Sequence, residues 1–198
     1  MRIAVITGAS SGIGREFVFS VDKEYDLDEI WVIARRADRL EELKDKCKNI
    51  IRPVSLDLAA DGAAGEYGAM LEKEKPEVVL LINAAGCGVF GPFAEKDLDK
   101  LKNSATLNSI ALTEMCHITL PYMSKGSNII NMGSNSAWQP VPYQAVYGAS
   151  KAYKSLSSFL LLQFLSYTVP SEYGGFIETL NPKSLQYFAF HKQCILFG

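Results

Sequence analysis

Residues 3–14 of the chain read Ile-Ala-Val-Ile-Thr-Gly-Ala-Ser-Ser-Gly-Ile-Gly. The apolar run from Ile3 to Ile6 predicts a short buried strand, and the stretch from Gly12 to about Asp22 predicts a helix. The glycines between and at the start of these elements allow a tight turn and a close backbone approach to a ligand. Because the free amides of a helix N-terminus attract anions, this loop is a candidate phosphate-binding site.

The rest of the chain continues the alternation of short apolar runs and longer helical stretches. Further strands are predicted at residues 30–34, 50–56, 78–82 and 128–132, and further helices at 36–46, 62–75, 95–119 and 145–167. Pro53 lies inside one of these strands, where proline is unfavourable. Strands alternating with helices predict an α/β fold with a doubly wound parallel sheet between two helical layers. Ligands of such sheets bind beyond the carboxyl ends of the strands.

Length and charge limit the possible classes of protein. The chain has 198 residues, which suits one domain, and 20 basic against 22 acidic side chains give a net charge of −2. This balance argues against a nucleic-acid-binding protein. No apolar run is long enough to span a bilayer, and the apolar start is too short for a signal peptide, so we expect no membrane partner and a cytoplasmic location. The four cysteines are scattered, so no metal site is expected.

Tyr147 and Lys151 carry the clearest chemical signal. They are four residues apart in Tyr-Gly-Ala-Ser-Lys and therefore lie one turn apart on one face of the predicted helix. An ammonium group beside a phenol stabilises the phenolate and lowers the pKa of the tyrosine toward neutrality. Such a pair can exchange a proton with a carbonyl oxygen. Alone, the spacing would more often be an ordinary surface pair on a helix.

Thr7-Gly-x-x-x-Gly-Ile-Gly14 together with Tyr147-x-x-x-Lys151 resembles the short-chain dehydrogenase/reductase family. The resemblance covers roughly residues 1–165 and implies a Rossmann-like fold that binds NAD or NADP. It further implies hydride transfer between the cofactor and a small-molecule carbonyl or secondary alcohol, with Tyr147 as the acid–base. Ser134, which lies 13 residues before Tyr147, matches the family's catalytic serine, and Asn108 matches the fourth member of the tetrad. Ser136 is the competitor for the serine role, and a polar position on a wet helix face is the alternative for Asn108.

The second strand is followed by Arg35 and Arg36, where NAD-binding relatives carry an acidic residue. A guanidinium matches a phosphate with a planar set of donors, so NADP(H) is expected rather than NAD(H), with Arg35 ranked before Arg36. The alternative is that both arginines simply begin a solvated helix. Residue 11 is a serine, whereas NADP-preferring relatives often have a second basic residue at this position.

Two further segments match the family's cofactor site. Asp57, with Leu58 beside it, resembles the acid that meets the adenine amino group, and a helix N-cap is an equally good explanation. Asn83-Ala84-Ala85-Gly86 resembles the family's segment beside the adenine ribose, although Asn83 could equally hold the central strands together. The full set of cofactor residues implied by the resemblance is Gly8, Ser10, Ser11, Gly12, Ile13, Gly14, Arg35, Arg36, Asp57, Leu58, Asn83, Ala84, Ala85, Gly86, Tyr147 and Lys151.

The family pattern ends near Tyr167. We interpret residues 1–198 as a single NADP-binding domain that is family-like over 1–167, with a divergent tail over 168–198 and one or two C-terminal strands missing. A truncated, non-catalytic remnant that binds NADP(H), or acts only as an interaction partner, is therefore the alternative function. Family members usually form homodimers or homotetramers through the two long helices. Leu107, Leu112, Leu156 and Leu160 would suit such an interface, but core packing explains them equally well.

Overall fold

The computed structural model describes residues 1–168, with side chains up to residue 159. The first half alternates strand and helix: β1 Arg2–Thr7, α1 Gly12–Glu24, β2 Glu29–Ala34, α2 Ala37–Glu41, β3 Ile50–Ser55, α3 Ala63–Glu74 and β4 Glu77–Asn83. The second half contains α4 Leu98–Ala105, α5 Ala111–Thr119, β5 Asn128–Asn131 and α6 Ala145–Thr168. The alternation predicted from the sequence is therefore confirmed.

The five strands form one parallel sheet in the order β3-β2-β1-β4-β5. The strand order reverses between β1 and β4, so the loops after these two strands separate and leave a crevice between them. Pro53 lies in β3, at the edge of the sheet, where a missing backbone donor is tolerated. The fold is thus the predicted Rossmann-like α/β fold.

Each face of the sheet carries its own apolar core. Ile3 and Val5 of β1 pack on one side with Trp31, Tyr67 and other buried side chains. Ala4 and Ile6 pack on the other side, against residues of α1 and the segment that follows β2. Because successive side chains of a strand point to opposite faces, the continuous apolar run of β1 supplies both cores.

Two predicted helices are corrected by the structure. The stretch 95–119 is not one regular helix, because a π-helical turn at Thr106–Ile110 separates α4 from α5. The stretch 36–46 is helical only over α2, and its end winds into a 3-10 turn at Lys44–Lys46. Leu40 and Leu43 are both fully buried, so the tighter winding still brings both leucines to the core.

The predicted tail at 168–198 and the missing strands concern residues beyond the described part of the chain. Within the described residues, no helix combines the length and the apolar character needed to cross a membrane.

Candidate active site

The loop after β1 is shaped by glycines at two close approaches. Gly8 has φ +71°, and a Cβ at this position would lie 2.8–2.9 Å from the backbone of Ala84 and Ala85. Its amide donates to the carbonyl of Ile33 at 2.8 Å. A Cβ at Gly14 would collide with the carbonyl of Gly8. The loop can therefore follow this path only with glycine at both positions, and α1 begins directly behind it.

A cavity of about 310 Å³ lies over the carboxyl ends of β1, β2, β3 and β4. Twelve of the residues that the sequence assigns to the cofactor line it: Gly8, Ser10, Ser11, Ile13, Gly14, Arg35, Arg36, Asp57, Leu58, Ala84, Ala85 and Gly86. Ile33, Ala34, Leu56 and Leu107 line it as well and were not foreseen. The other four assigned residues, Gly12, Asn83, Tyr147 and Lys151, are not among the lining residues. Four loops that are distant in sequence thus converge on one concave site.

Arg36 rather than Arg35 lies against the glycine loop. Its Nη2 donates to Ser11 Oγ at 2.7 Å and to Ser10 Oγ at 2.9 Å. Arg35 is two-thirds exposed, and its Nη1 lies 4.0 Å from the Asp57 carboxylate. The guanidinium that is already held on the loop is therefore that of Arg36, although the sequence ranks Arg35 first. Both arginines line the cavity, and Arg36 is also the N-cap residue of α2, so the role in the helix and the place at the cavity coexist.

Asp57 closes a turn rather than capping a helix. Its Oδ1 accepts from the amide of Ala59 at 3.1 Å, whereas α3 begins only at Ala63, after Gly62. The helix N-cap alternative for Asp57 is therefore wrong. The carboxylate is partly exposed at the cavity wall, where the resemblance expects it.

Asn83 holds strands together, the alternative that the sequence left open. It is buried, and its Nδ2 donates to Asn131 Oδ1 at 2.9 Å and to Cys116 Sγ at 3.4 Å. Its Oδ1 is buried without a hydrogen-bond partner among the described residues. The side chain thus bridges the ends of β4 and β5, and its backbone rather than its amide group leads into the cavity wall.

Lys151 lies close to Tyr147 at the start of α6. Its Nζ is 5.6 Å from the centroid of the Tyr147 ring and donates to the carbonyl of Met132 at 2.8 Å. Only 6% of Lys151 is exposed, and this burial lowers the pKa of its amine to about 8. The amine is therefore still mostly protonated at neutral pH, close to the phenol that it would influence.

Asn108 is fully buried in the π-helical turn, so a position on a wet helix face is excluded. Its Oδ1 accepts from the amide of Cys87 at 3.0 Å, and its Nδ2 donates to the Cys87 carbonyl at 2.8 Å and to Ser150 Oγ at 3.0 Å. A Cβ at Gly86 would lie 2.8 Å from Asn108 Oδ1 and 3.9 Å from Lys151 Nζ. Gly86 therefore joins the cavity to the Asn108–Lys151 region.

Ser134 follows β5 and precedes a 3-10 turn at Asn135–Ala137. Its Oγ accepts from the amide of Ser136 at 3.2 Å. The competitor, Ser136, donates its hydroxyl to Gln144 Oε1 at 2.8 Å. Phe90, from the loop after β4, packs edge-on against the Tyr147 ring with centroids 5.6 Å apart. The loops after β4 and β5 thus both approach the start of α6.

Lys154 is a buried polar residue that the sequence analysis missed. Only 1% of it is exposed, and its Nζ lies 3.5 Å from the carbonyl of Asn83. Burial, reinforced by the nearby charge of Lys151, lowers the pKa of this amine to about 7. The signal in the sequence is its position seven residues after Tyr147 and three after Lys151, on the same helix face.

Comparison with known proteins identifies the family. The profile of the family described as short chain dehydrogenase matches residues 2–172, which is most of the chain. The chain belongs to the short-chain dehydrogenase family.

Individual relatives agree with this assignment. The very-long-chain 3-oxoacyl-CoA reductase of Vanderwaltozyma polyspora is 32% identical and aligns with 85% of this chain and 52% of its own length. A short-chain dehydrogenase from Sphingobium yanoikuyae, solved in complex with NADPH, is 26% identical, with a TM-score of 0.74 over 84% of this chain and 66% of that one.

The L-sorbose reductase of Gluconobacter frateurii, solved with NADPH and L-sorbose, is 29% identical, with a TM-score of 0.74 over 82% of this chain and 64% of that one. The chain spans about half to two thirds of the length of the relatives it matches.

Proposed function

We propose that this chain is an NADP(H)-dependent oxidoreductase that interconverts a small-molecule carbonyl and a secondary alcohol. The observation that carries the proposal is the buried amine of Lys151, held on the Met132 carbonyl and 5.6 Å from the Tyr147 ring. Lys151 is part of a short-chain dehydrogenase. The cavity of this protein ends at Gly86, beside the Lys151 amine. Two family relatives solved with NADPH support the choice of cofactor.

The described residues fit a dinucleotide phosphate. The glycine loop keeps its path only without a Cβ at Gly8 and Gly14, and the free amides of the α1 N-terminus, which attract anions, follow it. Arg36 presents its guanidinium at the cavity wall beside Ser10 and Ser11, where a 2′-phosphate could take over its hydrogen bonds. We expect Arg36, held beside Ser11, to replace the second basic residue that NADP-preferring relatives often have at this position.

The residues of the chain then supply the proton. When bound, the nicotinamide supplies or accepts the hydride. Tyr147 gives its phenolic proton to the carbonyl oxygen, and the Lys151 ammonium stabilises the phenolate that remains. Ser134 donates to the same carbonyl oxygen and orients it. Asn108 fixes the backbone of Cys87 and so holds the loop that leads from Gly86 past the amine.

The test is a titration with NADPH followed by turnover. The full chain is titrated with NADPH and, in parallel, with NADH, and cofactor fluorescence reports binding. Ketones and aldehydes of different size are then screened for NADPH oxidation. Saturable NADPH binding with turnover of a carbonyl supports the proposal. Binding without turnover of any carbonyl supports the non-catalytic alternative. Absence of NADPH binding contradicts the proposal and leaves the remnant that acts only as an interaction partner.

A further inference from the structure

Lys154 is a second buried amine behind the Tyr147–Lys151 pair. Tyr147, Lys151 and Lys154 follow one another at helical spacing on the same face of α6. Lys154 is more deeply buried than Lys151, with 1% against 6% exposed. Among the described residues, no carboxylate forms an ion pair with either amine. An amine without a counterion is an unfavourable group to bury, so its presence needs an explanation other than volume.

The two amines bind neighbouring carbonyls at the ends of β4 and β5. The carbonyl of Asn83 accepts from the amide of Met132 at 3.2 Å and lies 3.5 Å from Lys154 Nζ. The carbonyl of Met132 in turn accepts from Lys151 Nζ at 2.8 Å. The hydrogen bond between the Met132 amide and the Asn83 carbonyl therefore connects the residue that Lys151 contacts with the residue that Lys154 contacts. A displacement of Asn83 would therefore move Met132, whose carbonyl accepts the hydrogen bond from Lys151.

Ser158 and Asn131 fasten the Lys154 turn of α6 to the same strand ends. Ser158 Oγ donates to the carbonyl of Lys154 at 2.6 Å and accepts from Asn131 Nδ2 at 2.8 Å. Asn131 Oδ1 accepts from Asn83, which closes a ring of contacts between α6, β5 and β4. The turn of α6 that carries Lys154 is therefore held by a continuous set of polar contacts to the strand ends, and its amine reaches the Asn83 carbonyl at their edge.

The described groups that face Lys154 supply no negative charge at neutral pH. Lys151 is the charged neighbour on α6, and on α5 the neighbour is Cys116, whose thiol stays neutral because burial raises its pKa to about 11. The polar neighbours on β4 and β5, Asn83 and Asn131, carry no charge. Burial lowers the pKa of both amines, that of Lys151 to about 8 and that of Lys154 to about 7.

We propose that Lys154 is a positioning residue for the Tyr147–Lys151 pair, because it fixes the strand ends that anchor Lys151. This inference rests on the proposed function. A methionine of similar length would fill the same volume but would provide neither the donor to Asn83 nor the second site for a proton. The substitution Lys154→Met therefore separates packing from positioning.

The kinetic test compares wild type, Lys154→Met and Lys154→Gln with NADPH and a carbonyl that the wild type reduces. We expect Lys154→Met to lower kcat about tenfold with little change in KM, because Lys151 loses its fixed place. Lys154→Gln, which keeps an N–H donor, should recover part of kcat. Tyr153→Phe is the control on the opposite, exposed face of the same turn, and its kcat should equal that of the wild type.

A second readout does not depend on activity. Lysine side-chain NMR of the full chain is recorded against pH for wild type and Lys154→Met. The signals of Lys151 and Lys154 should both titrate below pH 9 in the wild type, and the Lys154 signal should be missing in Lys154→Met. An unchanged kcat and pH–rate profile in Lys154→Met would overturn the inference while leaving the proposed function intact. A wild type that binds no NADPH would instead contradict the proposed function itself. If Lys154→Met does not fold, Lys154→Gln undergoes the same measurements.

Discussion

At the scale of single residues, the position of Arg36 gives the sharpest expectation about the cofactor. Its guanidinium is held by two loop hydroxyls, whereas Arg35 is mostly exposed. Removing a charged donor from a bound phosphate costs roughly 1.5–3 kcal/mol. We therefore expect Arg36→Ala to weaken NADPH binding about 10- to 100-fold and NADH binding much less. Arg35→Ala is the matched control, with a smaller loss. An equal loss for NADPH and NADH in Arg36→Ala would contradict the assignment.

The amine of Lys151 sets an expectation for pH. Burial lowers its pKa to about 8, so the ammonium is present below this pH and lost above it. The phenolate left when Tyr147 gives up its proton then loses its stabilising charge. We expect kcat for carbonyl reduction to fall as the pH rises through about 8, measured at saturating NADPH and substrate. A rate that stays constant to pH 10 would show that Lys151 does not assist the phenol.

At the scale of elements, the contact between the loop after β1 and the loop after β4 is decisive for the cavity. Gly8→Ala combines a left-handed backbone with a Cβ driven into Ala84 and Ala85. Gly126→Ala has the same kind of strain, at φ +90°, but open space around its Cβ. We expect Gly8→Ala to lower the melting temperature more than Gly126→Ala and to abolish NADPH binding, whereas Gly126→Ala should retain it. Comparable NADPH affinity in the two variants would contradict the glycine-loop site.

The elements also show which features could be predicted from sequence. The strands can be predicted because fully buried parallel strands are continuous apolar runs. The loops can be predicted because glycine is typical of turns that need an unusual backbone conformation. The π-helical turn at Asn108 cannot be predicted, because a single widened turn leaves the apolar spacing of the helix almost unchanged. Lys154 was overlooked for a different reason. The residue type alone does not show whether a lysine is buried or exposed, and only the packing of α6 on β4 and β5 shows that Lys154 is buried.

At the scale of the whole molecule, Leu112 and Leu156 differ in their exposure to solvent, although the sequence suggests both as interface residues. Leu112 is a core residue, 5% exposed, whereas Leu156 is 55% exposed and Phe159 is 41% exposed. We predict that the full chain forms a dimer through the exposed apolar face of α6. The double substitution Leu156→Ser and Phe159→Ser should then yield monomers in light scattering, with NADPH binding retained. A wild type that is monomeric at high concentration would contradict this prediction.

The proposed function depends above all on Tyr147 exchanging the proton during reduction of a carbonyl. The most direct measurement is kcat with NADPH for wild type, Tyr147→Phe and the control Tyr153→Phe, together with the NADPH affinity of all three. We predict that Tyr147→Phe loses at least about 100-fold in kcat while its NADPH affinity stays within about threefold, and that Tyr153→Phe retains full activity. Full carbonyl reduction by Tyr147→Phe would contradict the account.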